Sequence, residues 1–599
     1  KSMSLTSNLR QFQSAARLEQ ILGSVHDTNN DFSWSAAIER DEKEQYPQRA
    51  VDFLNAVGMN RFYVPSELGG RMEIGEELLY LHRVLARRDL TINSTYSTNA
   101  WSVIVWIGGN ANQCQNIANR ILSGAAPALA YSEKAHGADL LSSEVTAQPS
   151  DSKYVLNGEK WSINRATLGD SLSLIAKTSN DRGPRSLSAF WLDKRHMASK
   201  GTYSLNRLPT VGMRGLDISG IGFNNAEIHK DALIGEEGQG LELGLKTLQV
   251  TRAYCSSFSL GAGDTMLRIA TEFAIERELY NKKVISIPLV REQLATAYAY
   301  LLAAEVLSLV GARGLHVCIN QFSTWSPIVK VLVPEYVESL AKITSSVLGS
   351  RFFLRNAYAD GMFQKAFRDH LIVSVFDGSS TVCLDSLSFQ LKSANKGRSK
   401  KADHLNQAEA KARYRQLYDL QVETGAIDFR ELEIFNRDGD LVMESLETII
   451  EMLNDSNVTV GLSAETLATL HERANQLLVE QRSLDQKIQD YFSNSEQSKE
   501  FETMRFSLAR DYAELFARIA VLGFWVFNRH GLRPALQDGA WLIIFLNAAE
   551  GQTAPPMTSL RESTLADLLD RISTNHMLSV IDFALAPRDA KPVKKEITP

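Results

Sequence analysis

The hydrophobic periodicity of this chain changes twice, and these changes limit the folds that it can adopt. From about residue 8 to 128, apolar residues recur every three or four positions, in stripes such as the one containing Val51 and Leu54. Near Leu129 the spacing falls to two, and helical spacing returns near Gly238. Because 599 residues are too many for one hydrophobic core, we expect several domains.

The order of periodicities predicts a protein that is mainly α with a central β domain. The expected segments are an N-terminal helical domain over 1–128, a β domain over 129–236, a helical bundle over 237–391, a linker over 392–404 and a C-terminal helical extension over 405–599. The linker is expected to be solvated because it is basic, polar and contains glycine. The Pro/Lys-rich C-terminal end is expected to be disordered.

A hairpin is the strongest local signal in the predicted β domain. Asn157-Gly158 separates two apolar stretches, 154–156 and 160–163, and this dipeptide is typical of a two-residue turn between antiparallel strands. Further strands are expected at 171–178, 186–192 and 218–223.

Composition excludes several classes of protein. A net charge of -6 argues against a nucleic-acid partner, since no excess of Lys and Arg is available to neutralise phosphates. The four cysteines are scattered without a CxxC pair, so neither a disulfide framework nor a metal site is predicted. No run of eighteen apolar residues and no signal-peptide pattern occurs, so we expect a cytoplasmic location without membrane association.

Three blocks carry residues suited to chemistry. The first, YSEKAHGAD at 131–139, places a hydroxyl, a carboxylate and small residues in a predicted loop, which is suited to a flat polar ring or to a plain surface turn. The second, at 208–240, is rich in glycine but lacks a GxGxxG within a βαβ unit, so a dinucleotide-binding fold is not predicted.

The third block, at 363–382, contains Asp377 directly after an apolar run. Desolvation beside apolar residues raises the pKa of a carboxyl group, which suits a general base. The residues Asp377-Gly378-Ser379 are equally typical of a helix N-cap. The residues alone leave both interpretations open.

In this order and spacing, the three blocks resemble the signatures of the acyl-CoA dehydrogenase family, over about residues 40 to 392. The matching stretches are SEKAHGAD, VGMRGLDI and RDHLIVSVFDGS, with YVLNGEKWSI between the first two. The resemblance implies an N-terminal helical domain, a β-barrel-like domain and a four-helix bundle that together bind FAD. The C-terminal extension marks a large member of the family.

The resemblance also implies the residues that bind FAD. The flavin ring and the thioester would contact the first block and the strand behind the ring. A neighbouring subunit would supply an arginine, an aromatic residue and the loop that holds the adenosine part of FAD. The residues at these positions are Tyr131, Ser132, Gly137, Ala138, Ser162, Ile163, Asn164, Arg277, Tyr280, Ser346, Gly349 and Ser350, and Ser379 is predicted as a further contact. Departures from the family pattern include Ala138 for serine and Ser346 for glutamine.

Asp377 occupies the position of the family's catalytic base, where most members carry Glu and some branches carry Asp. Other branches place the base on a bundle helix before an arginine, and here that position holds Thr251, before Arg252. A threonine cannot serve as this base, so the resemblance implies Asp377.

The expected function is therefore FAD-dependent α,β-dehydrogenation of an acyl thioester, carried on coenzyme A or an acyl carrier protein, with a role in fatty acid metabolism. Asp377 would remove the α proton while the β hydride passes to the flavin. The acceptor of the electrons would be an electron-transfer flavoprotein or O2, and the shared FAD sites imply a homodimer or a tetramer. The alternative is a flavin oxidase or monooxygenase of the same fold that uses O2.

Overall fold

The computed structural model describes residues 4–197, 200–402, 406–494, 499–551 and 558–598. The expected order of a helical domain, a β domain, a helical bundle and a helical extension is confirmed within these residues. One hydrophobic cluster extends from Leu5 to Ile597 and joins both helical domains to the extension, while a second cluster lies within the β domain.

The N-terminal domain consists of short helices packed around α4, whose residues are all buried. Because no face of α4 reaches solvent, its arginines must find partners inside the protein. The helices are α1 Arg10–Leu22, α2 Trp34–Glu42, α3 Gln48–Ala56, α4 Gly75–Arg88, α5 Leu90–Ser97, α6 Val103–Gly108 and α7 Ala111–Leu122.

The β domain is a mixed sheet with the strand order β6-β7-β3-β2-β4-β5-β8, in which β1 also pairs with β4. The strands β3 and β7 form its long antiparallel pair. The strands are β1 Pro127–Ala130, β2 Thr146–Pro149, β3 Lys153–Asn164, β4 Ser171–Lys177, β5 Leu187–Asp193, β6 Thr202–Leu205, β7 Ile218–His229 and β8 Leu233–Ile234.

The predicted hairpin at Asn157-Gly158 is wrong, because both residues lie inside the single strand β3. The register of β3 against β7 shifts between Leu156 and Asn157, which marks a bulge. The Asn157 side chain accepts a hydrogen bond from the Asn225 amide at 2.9 Å, and Gly158 adopts a φ of +116°. The dipeptide that is typical of a turn therefore bends the strand without reversing it.

The helical bundle contains long helices and a small exposed hairpin. The predicted helix over 241–277 is divided in two at Cys255. Among the described helices, α10 alone is long and apolar enough to cross a membrane, and most of its apolar stretch is buried inside the protein. The elements are α8 Gly240–Tyr254, α9 Ser256–Glu276, β9 Glu278–Leu279, β10 Lys282–Lys283, α10 Pro288–Val317, α11 Phe322–Leu348, α12 Met362–His370 and α13 Ser380–Ala402.

The expected linker does not interrupt the chain, since α13 continues to Ala402; residues 403 and 404 lie outside the described residues. Two of its basic side chains pair with acidic residues of the extension: Lys401 lies 3.0 Å from Asp438, and Arg398 pairs with Asp485. The segment is therefore part of a helix that contacts the extension, and not a solvated spacer.

The C-terminal extension is helical, as expected. Its two longest helices, α18 and α19, pack against each other and α19 also packs against α13. The helices are α14 Gln407–Tyr418, α15 Leu441–Glu444, α16 Leu446–Leu453, α17 Ser456–Thr459, α18 Ala464–Ser493, α19 Lys499–Asn528, α20 Pro534–Gln537, α21 Ala540–Ala549 and α22 Thr558–Ser573.

The expectation of a disordered C-terminal end is also wrong for the described residues. The amide of Val593 donates to the carbonyl of Ile21, and the amide of Ile597 donates to the carbonyl of Val57. A Cβ at Gly23 would lie 2.7 Å from the backbone of Lys591, so the tail packs against the N-terminal domain without space for a side chain there. Backbone pairing and burial of Ile597 hold a segment whose composition alone favours disorder.

A buried carboxylate connects three parts of the chain. Glu305 of α10 is fully buried and accepts a hydrogen bond from Arg83 of α4 at 2.6 Å. It also accepts hydrogen bonds from Tyr80, from the Ser579 hydroxyl and from the Val580 amide. The N-terminal domain, the bundle and the C-terminal segment therefore share one ionic centre.

Candidate active site

Helix α8 contacts both the flavin loop, which is the predicted flavin-binding loop 131–139, and the loop that carries the predicted base Asp377. At one end, a Cβ added to Gly244 would lie 3.5 Å from the Tyr131 ring, so the helix and the β domain meet closely there. Eight residues later, Arg252 donates from Nε to the carbonyl of Asp377 at 2.6 Å. At roughly 1.5 Å per residue these two contacts lie about 12 Å apart along the helix.

Asp377 lies on the loop between α12 and α13, and it does not cap a helix. The hydroxyl of Ser379 accepts the amide of Val382 at 3.4 Å, which makes Ser379 the N-cap of α13. Asp377 adopts a left-handed φ of 55°, which is uncommon for a residue with a side chain. Of the two interpretations that the residues left open, helix capping is therefore wrong, and the half-buried carboxylate is free for another role.

Burial raises the pKa of Asp377 above its usual value. The charge of Lys330, a hydrogen bond from Cys255, the charge of Arg252 and a hydrogen bond from Thr251 oppose this rise. The Cys255 thiol lies 3.5 Å from Oδ2 of Asp377. The Asp377 carboxylate is thus a stronger base than a solvated aspartate. The nearby cations and hydrogen-bond donors still stabilise its ionised form.

The flavin loop is hydrogen-bonded to strand β3. The Lys160 ammonium donates to the carbonyl of Tyr131 at 2.9 Å and to Glu133 at 2.8 Å, and the Trp161 amide donates to the carbonyl of Ser132 at 3.0 Å. These bonds bring Tyr131 and Ser132 beside the predicted strand residues 162–164. The predicted contacts Gly137 and Ala138 lie on the exposed outer part of the loop.

The strand residues are suited to a flat polar ring. The register of β3 shifts between Trp161 and Ile163, which leaves Ser162 exposed with a φ of 63°. Asn164 donates from Nδ2 to Ser94, while its buried Oδ1 has no partner among the described residues. An acceptor without a protein partner can take a hydrogen bond from an external donor, such as the N–H group of a flavin ring. The neighbouring Ile163 is buried. The residues therefore fit the expected cofactor.

The remaining predicted contacts form an exposed group elsewhere on the bundle. Arg277 begins the β9–β10 hairpin, and Tyr280 at its tip is 88% exposed. Ser346, Gly349 and Ser350 are exposed at the end of α11. Among the described residues, no hydrogen bond or ion pair of this chain links these five residues to the Asp377 loop.

Sequence reasoning missed Lys330 and Cys255, which face the Asp377 loop from α11 and from the α8–α9 junction. A signal for the first was present, since Lys330 interrupts the apolar run Ile328–Val333. A lysine in a buried run needs a specific partner, which makes it a candidate functional residue. Near this loop, Cys383 is fully buried in the hydrophobic core.

Comparison with known proteins identifies two domains. The sequence models of the acyl-CoA dehydrogenase middle domain and of the acyl-CoA dehydrogenase C-terminal domain match residues 128–226 and 238–391. The chain therefore contains the middle and C-terminal domains of the acyl-CoA dehydrogenase family. It is similar to the cyclohex-1-ene-1-carbonyl-CoA dehydrogenase of Geobacter metallireducens, with 24% identity over 352 residues that cover 58% of this chain and 90% of that protein.

Solved structures confirm the acyl-CoA dehydrogenase fold. An acyl-CoA dehydrogenase from Bacillus anthracis, in complex with FAD, superimposes with a TM-score of 0.67 and 18% identity over 94% of this chain and 90% of that chain. A prolyl acyl carrier protein oxidase superimposes with a TM-score of 0.57 and 18% identity over 64% of this chain and 97% of that chain. The first alignment includes the C-terminal extension, which is therefore part of a shared architecture.

The two acyl-CoA dehydrogenase domains confirm the expected class of enzyme. The chain is an FAD-dependent oxidoreductase that acts on CH–CH bonds. The individual cofactor contacts and the catalytic base remain predictions, which the geometry above makes testable.

Proposed function

We propose that this protein desaturates an acyl thioester between its α and β carbons, with Asp377 as the base that removes the α proton. The observation that carries the proposal is that the Asp377 carboxylate caps no helix, because Ser379 takes the capping position. The contacts of helix α8 with the Tyr131 ring and with the backbone carbonyl of Asp377 support a site between the β domain and the bundle.

The residues around Asp377 support proton removal in two ways. Burial raises the pKa of the carboxyl group, and a base is most effective when its pKa lies nearer the working pH. Arg252 and Lys330 place two positive charges beside the loop, and these charges favour the ionised carboxylate, the form of Asp377 that can accept a proton. The FAD, when bound, accepts the hydride from the β carbon.

The two base positions of the family are neighbours in this protein. Thr251 lies close enough to the Asp377 carboxyl group to help lower its pKa, so a carboxylate at either position would reach the same part of the site. Since Thr251 has no ionisable group, the proposal assigns the role to Asp377 alone.

The pH dependence of the reaction follows from the direction of the Asp377 pKa shift. Only the ionised carboxylate accepts a proton, so the rate of anaerobic flavin bleaching by an acyl thioester should fall as pH drops through this pKa. Because burial raises the pKa above the ordinary value of about 3.9, activity should be lost at a higher pH than for a solvated aspartate. Stopped-flow pH jumps on the holoenzyme measure this, and a rate that stays constant or rises on acidification would refute it.

We also propose that a second copy of the chain completes each FAD site. The exposed positions of Arg277 and Tyr280, away from the base, support a role toward a neighbouring subunit. Sedimentation of the holoenzyme should show a dimer or a tetramer, and a monomer that binds FAD tightly would contradict this.

Arg277→Ala should weaken FAD binding by about ten- to a hundredfold, because a planar cation on the pyrophosphate forms charge-assisted hydrogen bonds. Titration of the apoprotein with FAD measures the change. Arg482→Ala is the matched control, since the Arg482 side chain is also exposed, at 68%, on a helix of the extension. Equal affinities in both variants and the parent would exclude a role of Arg277 in FAD binding.

The thioester carrier and the electron acceptor belong to the proposal as well. The name of the Geobacter relative specifies a coenzyme A thioester, and the prolyl oxidase specifies an acyl carrier protein, so both carriers should be tested. We propose a dehydrogenase that passes electrons to an electron-transfer flavoprotein, and Asp377 favours this over the O2-dependent alternative. Anaerobic bleaching by a panel of saturated acyl thioesters tests the activity, and a flavin that none of them bleaches would contradict it.

A further inference from the structure

Lys330 is a buried cation whose hydrogen-bond partners, among the residues that the structure describes, all belong to the Asp377 loop. It lies on α11 and is 2% exposed. Its ammonium donates to the carbonyl of Val373 at 2.5 Å and to the carbonyl of Gly378 at 3.2 Å. The same nitrogen lies 5.3 Å from the centre of the Phe376 ring.

These contacts enclose the segment that carries the proposed base. Val373 and Gly378 stand on either side of Asp377, so one ammonium group binds both ends of a short loop. The left-handed conformation of Asp377 is strained for a residue with a side chain, and it persists only where its surroundings fix it. An ammonium group has three donors and is expensive to bury without acceptors, so the arrangement stabilises both the cation and the loop.

The hydrogen bonds of Lys330 do not by themselves require a positive charge. No carboxylate forms an ion pair with its ammonium among the described residues, but its charge lowers the pKa of the nearby carboxyl groups of Asp377 and Glu338. A purely structural anchor would need only a neutral donor to bind two carbonyls. The charge therefore points to a role toward the carboxylate.

We propose that Lys330 is a positioning residue for the base: it holds the loop 373–378 in place from both ends and favours the ionised form of Asp377. This inference rests on the proposed function of Asp377.

The other groups that face the loop do not replace this charge. The cation of Arg252 donates to the Asp377 carbonyl from α8, and Cys255 and Thr251 offer neutral hydrogen bonds. From α11, Glu338 hydrogen-bonds to Ser374, while burial lowers the pKa of His370 to about 3 and so keeps that ring neutral. Of the two cations, Lys330 has the larger effect in lowering the pKa of Asp377.

Lys330→Met tests the proposal, because methionine keeps most of the length but removes the donors and the charge. The apparent pKa of anaerobic flavin bleaching should rise by about one unit, the smaller end of the effect of a nearby opposite charge. Hydrogen exchange of the peptide containing residues 371–379 should accelerate, since the loop loses its anchor. Lys342→Met is the matched control, as Lys342 is exposed on the same helix and should change neither quantity.

Lys330→Arg separates charge from geometry. The arginine retains the positive charge, so its apparent pKa should stay at the parent value even if the maximal rate falls. If the methionine variant fails to fold, the arginine variant alone tests the proposal, and a raised apparent pKa in that variant contradicts it. In a folded methionine variant, an unchanged apparent pKa or an unchanged loop exchange overturns it.

Failure of this inference differs from failure of the proposed function. If Asp377→Asn bleaches as fast as the parent, Asp377 is not the base, whatever Lys330 does. If Asp377→Asn is inactive while Lys330→Met matches the parent in apparent pKa and in loop exchange, only the role of Lys330 is wrong.

Discussion

Asp377→Asn is expected to slow the anaerobic bleaching of the bound flavin by an acyl thioester by about 10²–10⁴-fold, the usual contribution of a positioned general base. Asparagine has nearly the same shape and can still accept the hydrogen bond that Cys255 now donates to the carboxylate. The variant should therefore fold and bind FAD as the parent does, so that the loss lies in the chemical step. Stopped-flow absorbance of the holoenzyme measures the rate.

Two further variants make this result specific. Asp385→Asn changes an aspartate on α13 whose side chain is 44% exposed and pairs with Arg505, and it should bleach at the parent rate. Asp377→Glu keeps a carboxylate with one more methylene and should retain much more activity than the asparagine variant. If Asp377→Asn bleaches as fast as Asp385→Asn, the base is another group.

Glu305→Ala is expected to lower the free energy of unfolding by about 3–5 kcal/mol, because it leaves a buried arginine without its carboxylate. Arg83 is fully buried, and Glu305 is the partner of its guanidinium on α10. The change also removes an acceptor from the Val580 amide, which lies 2.8 Å from the carboxylate. Urea unfolding followed by circular dichroism and by tryptophan fluorescence measures the loss.

Glu447→Ala is the control for this effect. Glu447 pairs with Arg482 at 3.5 Å, and both side chains are about 70% exposed, at 71% and 68%. Because exposed ion pairs contribute about 0–1 kcal/mol, this variant should unfold close to the parent. A Glu305→Ala protein with parent-like stability would contradict the account of one ionic centre that joins the N-terminal domain, the bundle and the C-terminal segment.

The fold was largely predictable because hydrophobic periodicity reports which faces of helices and strands are buried. The errors arose where a local pattern was overruled by distant contacts. Asn157-Gly158 is a good turn sequence, yet pairing along β7 and the Asn225 contact keep β3 continuous. The basic residues Arg398 and Lys401 have the composition of a linker, but acidic partners far along the chain hold them in a helix.

The candidate site was predictable only in part. The resemblance selected Asp377, while its residues alone could not distinguish a base from a cap. That choice depends on Ser379, whose hydroxyl takes the capping role. Lys330 was missed because an apolar run around a lysine indicates a buried helix without showing which backbone carbonyls the ammonium meets.

The central claim is that Asp377 removes the α proton of an acyl thioester, and isotopic substitution at the α carbon tests it most directly. Anaerobic bleaching of the parent holoenzyme should be measurably slower with an acyl thioester that carries deuterium at the α carbon, and the asparagine variant should bleach hardly at all with either substrate. Equal rates with both substrates, together with rapid bleaching in Asp377→Asn, would contradict the claim.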